Sequence, residues 1–187
     1  MKSVLNYRPI VLLLAFLLYS TMLEAKKIDF LKPGCNAPSF TLQSTNDKMY
    51  SFPASGSWNL IAYWSLFCHS CIDEMPVLQR ELNKVKFSNL KSYFVSLDSV
   101  RMKKALINFL ARRRLNTTVL MEEIASNTYV TADKWGVTTT PSLFIVSPNG
   151  IIRYSHEGPA DMDAMLSKLE QLMVNASTTC KIQNYDK

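Results

Sequence analysis

Leu60-Ile61-Ala62-Tyr63-Trp64-Ser65-Leu66-Phe67-Cys68-His69-Ser70-Cys71-Ile72-Asp73-Glu74-Met75-Pro76 decides how this chain is read. Trp58 to Trp64 is apolar, aromatic and of strand length, as expected for a central strand covered on both faces. From Cys71 the residues Ile72, Met75, Leu78, Leu82 and Val85 recur every three or four positions, which predicts an amphipathic helix, kinked or tightened near Pro76. The two cysteines therefore sit where a buried strand turns into a helix. A thiolate is the reacting form of cysteine, and the unpaired N–H groups and dipole at a helix start favour it. Cys68 occupies that place and is expected to attack a partner disulfide, while Cys71, one turn inward, resolves the mixed disulfide. His69 and Ser70 lie between them as modulating residues; His69 either stabilises the thiolate or simply faces water.

Outward from this segment, Phe40 and Leu42, with Tyr50 and Phe52 beyond the turn-like Ser44 to Lys48, predict a hairpin. Tyr93 to Leu97 reads as the next strand, Val100 to Leu115 as a basic helix and Thr118 to Met121 as a short strand, with Thr128 to Trp135 helical. Leu143 to Val146 and Ile151 to Tyr154 flank the turn Pro148-Asn149-Gly150 as a second hairpin. Met162, Met165, Leu166, Leu169, Leu172 and Met173 form a closing helical stripe capped near Asp161, its methionines being core filler. Strands alternating with helices describe an α/β sandwich.

At 187 residues and 48% hydrophobic composition the chain has room for one packed domain. Lys2 and Arg8 precede the apolar run Ile10 to Leu18, which weakens towards Leu23: the order of a signal peptide, too short for a comfortable span, or else a short anchor. Residues 1–25 are read as this segment, 26–32 as a linker, 33–174 as the domain and 175–187 as a polar tail. The positive flank places the rest outside the cytoplasm. The formal charge of +6 is moderate, and its excess lies in Arg101 to Lys104 and Arg112 to Arg114, read as a solvated helix face rather than a nucleic-acid site. A structural disulfide and a zinc site compete with the redox reading, but the only histidines are His69 and His156 and there is no second Cys-x-x-Cys.

The run Trp64 to Pro76 resembles the active-site segment of thioredoxin-fold proteins, specifically the exported TlpA/ResA-like thiol-disulfide reductases of cytochrome c maturation. Pro33-Gly34-x-x-Ala37-Pro38-x-Phe40-x-Leu42 is similar to that family's opening hairpin. Trp135-Gly136-Val137-Thr138-Thr139-Thr140-Pro141-Ser142-Leu143-Phe144-Ile145 is similar to its proline loop. The resemblance implies a thioredoxin-like fold, a central mixed β-sheet flanked by helices with an added N-terminal β-hairpin. It implies Cys68 as nucleophile and Cys71 as resolving cysteine, joined as a redox-active disulfide, with Pro141 as a cis-proline facing them. Thr140, Pro141 and Trp64 are the implied substrate-binding residues. Glu74 matches a carboxylate of this branch and stands in for the acidic strand residue of ordinary thioredoxin, whose position here is Ala62. If buried, it would accept the proton of Cys71; the alternative is a carboxylate that favours the helix dipole.

The resemblance further implies no cofactor and no metal, disulfide-containing exported proteins such as apocytochrome c as partners, and a membrane thiol conduit as the electron source in a bacterial periplasm. Membrane attachment would run through residues 10–23. Phe67 replaces the usual Trp, and His69-Ser70 is not the proline-containing dipeptide common among reductases, so an oxidase or isomerase remains the alternative, as does a copper metallochaperone. Peroxiredoxins share the fold, but Ser65, Leu66 and Phe67 do not supply their Pro-x-x-x-Thr-x-x-Cys context. Cys35 and Cys180 are left as a second disulfide, free thiols or an interchain pair.

Overall fold

The computed structural model describes residues 29–54, 56–84 and 89–183, with side chains as far as residue 174. The signal or anchor read at 1–25 lies outside the described residues, and among those described no helix is long and apolar enough to cross a membrane.

Strand β3 (Trp58–Trp64) is buried along its whole length. It lies at the centre of a five-stranded sheet with β4 (Leu90–Ser96), β5 (Val119–Met121), β8 (Ser142–Val146) and β9 (Ile152–Glu157), ordered β5-β4-β3-β8-β9. β4 and β5 run parallel to β3, β8 runs antiparallel to β3 and β9 antiparallel to β8, with Ala62 opposite Phe94 on one side and Leu143 on the other. The strand period of two sorts β3 between two cores. Leu60, Ala62 and Trp64 face α1 (His69–Lys84), α2 (Lys103–Arg113) and α3 (Met162–Gln183) through Met75, Leu78, Leu106, Phe109, Met165 and Leu169. Ile61 and Tyr63 face the opposite core around Trp135 and Phe144. The two parallel crossovers step the same way across the sheet and put both helices on one face, as their handedness requires.

The second face is closed by the antiparallel hairpin β1 (Phe40–Gln43) and β2 (Met49–Phe52) and by aromatic packing. Trp135 is fully buried, its ring 4.8 Å from Phe144 and 5.4 Å from Phe52. Ser44 bridges Leu120 and the Thr45 N–H donates to Val119 O at 2.9 Å, so the hairpin also covers part of the β5 edge. Asp161 caps α3: its Oδ1 accepts the Ala164 N–H at 3.1 Å and its carbonyl the Met165 N–H at 3.0 Å.

Three segments differ from the sequence reading. Residues 30–32, expected as linker, pack on the domain: Phe30 lies 4.9 Å from Phe144 and the Leu31 N–H donates to Trp135 O at 3.2 Å. The expected helix from Thr128 resolves into a small hairpin, β6 (Ile124–Ala125) and β7 (Thr128–Tyr129), followed by a 3₁₀ turn at Ala132–Trp135. Ser126 and Asn127 take positive φ at its two-residue turn. The buried Glu122 carboxylate accepts the N–H groups of Thr131 (3.1 Å) and Ala132 (2.8 Å), and these bonds hold the 3₁₀ turn in place. Helix α3, finally, continues to Gln183, past the point where a polar tail was expected.

Gly136 ends the 3₁₀ turn at φ +67°, where a Cβ would collide with the Asp29 carbonyl. Gly136→Ala is expected to cost about 1–3 kcal/mol, from the left-handed backbone and the displaced N-terminal segment. Thermal unfolding measures the loss; an unchanged melting temperature would show that residues 29–31 are not held there.

Candidate active site

The carboxyl end of β3 gives way to the turn Ser65–Cys68, closed by the Cys68 N–H donating to Ser65 O at 3.1 Å. Helix α1 begins at His69, so Cys68 stands as its cap. The Cys71 N–H donates to Cys68 Sγ at 3.2 Å, as a helix start does to a capping acceptor. The Ser70 hydroxyl lies 3.5 Å from the same sulfur. Cys68 and Cys71 are joined in a disulfide, with Cα atoms 5.2 Å apart. Cys68 is partly exposed and Cys71 fully buried, so an incoming sulfur has access to one of the pair.

The other expected residues fall around them unevenly. The Thr140–Pro141 bond is cis. Tyr63 pairs with Ser142 across β3 and β8, which puts Pro141 level with the end of β3. Thr140 and Phe67 line one cavity of about 480 Å³, together with Val137, Ile124 and Tyr129. Phe67 is 81% exposed. Trp64, expected at the substrate face, is instead 1% exposed and packed on Phe109 at 5.6 Å, because it points to the helix-covered side of β3. His69 extends into water at 96% side-chain exposure, its Nε2 3.8 Å from Asp73 Oδ2.

Glu74 lies one turn beyond Cys71 on α1, half-buried. Its Oε1 accepts the Ala160 N–H at 3.3 Å, while Oε2 is buried without a partner. Burial pushes the Glu74 carboxyl above the ordinary carboxylate range; the Ala160 N–H and nearby His156 pull it back less strongly, and Asp73 adds to the rise. Cys35 carries no disulfide, and the Cys180 side chain lies outside those described. Asp98, buried beneath the Ser65–Cys68 turn and bonded to Ser65 and Leu66, was not picked out from sequence. A carboxylate in Ser-Leu-Asp-Ser after a strand carries no spacing signal of its own.

A mixed sheet with a disulfide at the start of its first crossover helix, and a cis-proline level with the end of the strand before that helix, defines a thioredoxin-like thiol-disulfide oxidoreductase. The chain belongs to the AhpC/TSA family, which its residues 33–155 match. It is 25% identical over 154 residues to the thiol:disulfide interchange protein DsbE of Xylella fastidiosa, covering 76% of this chain and 70% of that one. The thioredoxin-like protein YneN of Bacillus subtilis is 27% identical over 155 residues, 82% of this chain and 86% of its own length. Among solved structures, a putative thiol:disulfide interchange protein DsbE from Chlorobium tepidum superposes with a TM-score of 0.64 at 24% identity, covering 75% of this chain and 97% of its own.

Because the folded Glu74 value is raised, the fold favours the protonated acid; that contribution is complete below the unfolded carboxyl value and is lost as pH rises through the folded value. Glu74→Gln is therefore expected to be at least as stable as the parent at pH 7, with its advantage shrinking on acidification to about pH 4.3, the unfolded value. Melting temperatures of the two oxidised proteins across this range check the sign; an advantage that grew on acidification would refute it.

Proposed function

We propose that this protein is exported and reduces disulfides in other exported proteins, an apocytochrome c haem-binding site being one such substrate. The exposure difference between the two cysteines, one open to an incoming sulfur and the other buried, carries the exchange chemistry of this reading. In the reduced protein the Cys68 thiolate attacks one sulfur of the substrate disulfide, forming a Cys68–substrate bond and releasing a substrate thiolate. The Cys71 thiol gives its proton to Glu74, and its sulfur attacks Cys68 Sγ. The second substrate thiolate then leaves as the Cys68–Cys71 disulfide closes. Two electrons have passed to the substrate, and the dithiol of a membrane thiol conduit supplies two more, reducing the Cys68–Cys71 disulfide and becoming a disulfide itself.

The helix-start N–H on Sγ supports Cys68 as the attacking sulfur, because a donor aimed at the sulfur favours its charged form. Glu74 suits the proton-accepting role through its unpartnered buried oxygen and raised affinity for a proton. Thr140 engages no hydrogen-bond partner among the described residues, leaving its N–H and C=O for an extended peptide. Phe67 takes the substrate-facing position that buried Trp64 does not. The resemblance to proteins named for thiol:disulfide interchange supports an extracytoplasmic site of action, reached through residues 1–25 as signal or anchor.

Cys71→Ser is expected to trap a Cys68-linked adduct with a disulfide-bonded protein, released by dithiothreitol, and Cys68→Ser to trap none. Direction follows from the potential of the Cys68/Cys71 couple. A value more negative than about −200 mV fits a reductase, and one near −120 mV, that of a strong oxidant, would sink the reductase reading.

A further inference from the structure

The turn that carries Cys68 rests on a carboxylate that the exchange chemistry does not use. Asp98, two residues past β4, is 3% exposed. Its Oδ1 accepts the Ser65 hydroxyl at 2.8 Å, and its Oδ2 accepts the Leu66 N–H at 2.9 Å and the Ser96 hydroxyl at 2.7 Å. The Asp98 N–H donates back to Ser96 Oγ at 3.2 Å, which fixes the acid itself. With its hydroxyl hydrogen directed at Asp98, Ser65 Oγ accepts the Phe67 N–H at 3.1 Å, while Ser65 O accepts the Cys68 N–H. Each of the four residues from Ser65 to Cys68 is thus tied to Asp98, directly or through Ser65.

We propose that Asp98 is a positioning residue for the attacking sulfur: by clamping Ser65 and Leu66 it holds Cys68 where its Sγ receives the Cys71 N–H. This rests on Cys68 being the nucleophile. A carboxylate there has two effects on the thiol, and they oppose each other. As a buried negative charge it disfavours a second negative charge nearby, so neutralising it would by itself lower the Cys68 thiol pKa. As a clamp it secures a hydrogen bond to the thiolate, so loosening it raises that pKa. An Asn side chain has one oxygen for the three donors, and its amide hydrogens would face donors that Asp98 now accepts. The clamp is then broken while size is kept. A strut that served only the fold would change stability and leave the thiol titration where it is.

The test is the rate of iodoacetamide alkylation of the reduced protein between pH 4 and pH 10, with the modified cysteine identified by mass. For Asp98→Asn, the Cys68 midpoint is expected to rise by about one pH unit, which slows alkylation about tenfold below the midpoint, with a plateau close to the parent's. An unchanged or lowered midpoint in folded Asp98→Asn overturns the proposal. Should that variant not fold, Ser65→Ala decides: it keeps the Asp98 charge but removes one strut and the Phe67 acceptor. A raised midpoint in Ser65→Ala supports the clamp, and an unchanged or lowered one overturns it. Alkylation of Cys71 ahead of Cys68 in the parent protein is a different failure, which removes the assignment of Cys68 and this inference with it.

Discussion

The burial of β3 on both faces is the constraint from which the rest of the molecule follows. A strand with Leu60, Ala62 and Trp64 on one side and Ile61 and Tyr63 on the other cannot be satisfied by a single covering layer. One side draws helices α1, α2 and α3, and the other draws the aromatic cluster of Trp135, Phe144 and the β1–β2 hairpin. Packing at both faces leaves the end of β3 little freedom, and the chemistry hangs from that end. Any motion of Ser65 to Cys68 relative to the sheet must come from the turn itself, and Asp98 ties that turn to the neighbouring strand.

The same geometry makes the two thiols unequal. The cap position keeps Cys68 partly in solvent and gives it the Cys71 N–H; one turn later the helix has rotated Cys71 against β3 and out of solvent. Sequence spacing alone is symmetric in this respect. The asymmetry arises because the helix starts at a strand end and must lay its apolar face, Cys71, Met75 and Leu78, on the sheet. Access thus distinguishes the two sulfurs, one partly open to solvent and the other closed to it.

Much of this was legible in the chain. The apolar run of β3, the three-to-four spacing after Cys71, the turn Pro148-Asn149-Gly150 and the Asp161 cap are local signals, each expressed within a few residues, and the structure bears them out. What escaped depends on distant partners. Trp64 reads as a candidate contact because it borders the motif, yet strand parity turns it towards Phe109. Residues 30–32 resemble a linker until Phe144 and Trp135 supply a surface for Phe30 and Leu31. The Ala132–Trp135 turn depends on Glu122, which lies before the β6–β7 hairpin. Asp98 shows nothing special in Ser-Leu-Asp-Ser; its role exists once β3 and β4 lie side by side.

Glu74 and Asp98 show why the kind of residue is a weaker guide to function than the state of its lone pairs. Asp98 accepts three hydrogen bonds, two of them from the turn that carries Cys68. Glu74 has one oxygen engaged at 3.3 Å and the other buried with nothing bound. An orphaned buried oxygen is costly for a carboxylate and much less so for a carboxylic acid. That difference is the physical source of its raised affinity for a proton. Of these two carboxylates, one therefore has both oxygens engaged by hydrogen bonds, while the other is left with one oxygen short of a donor.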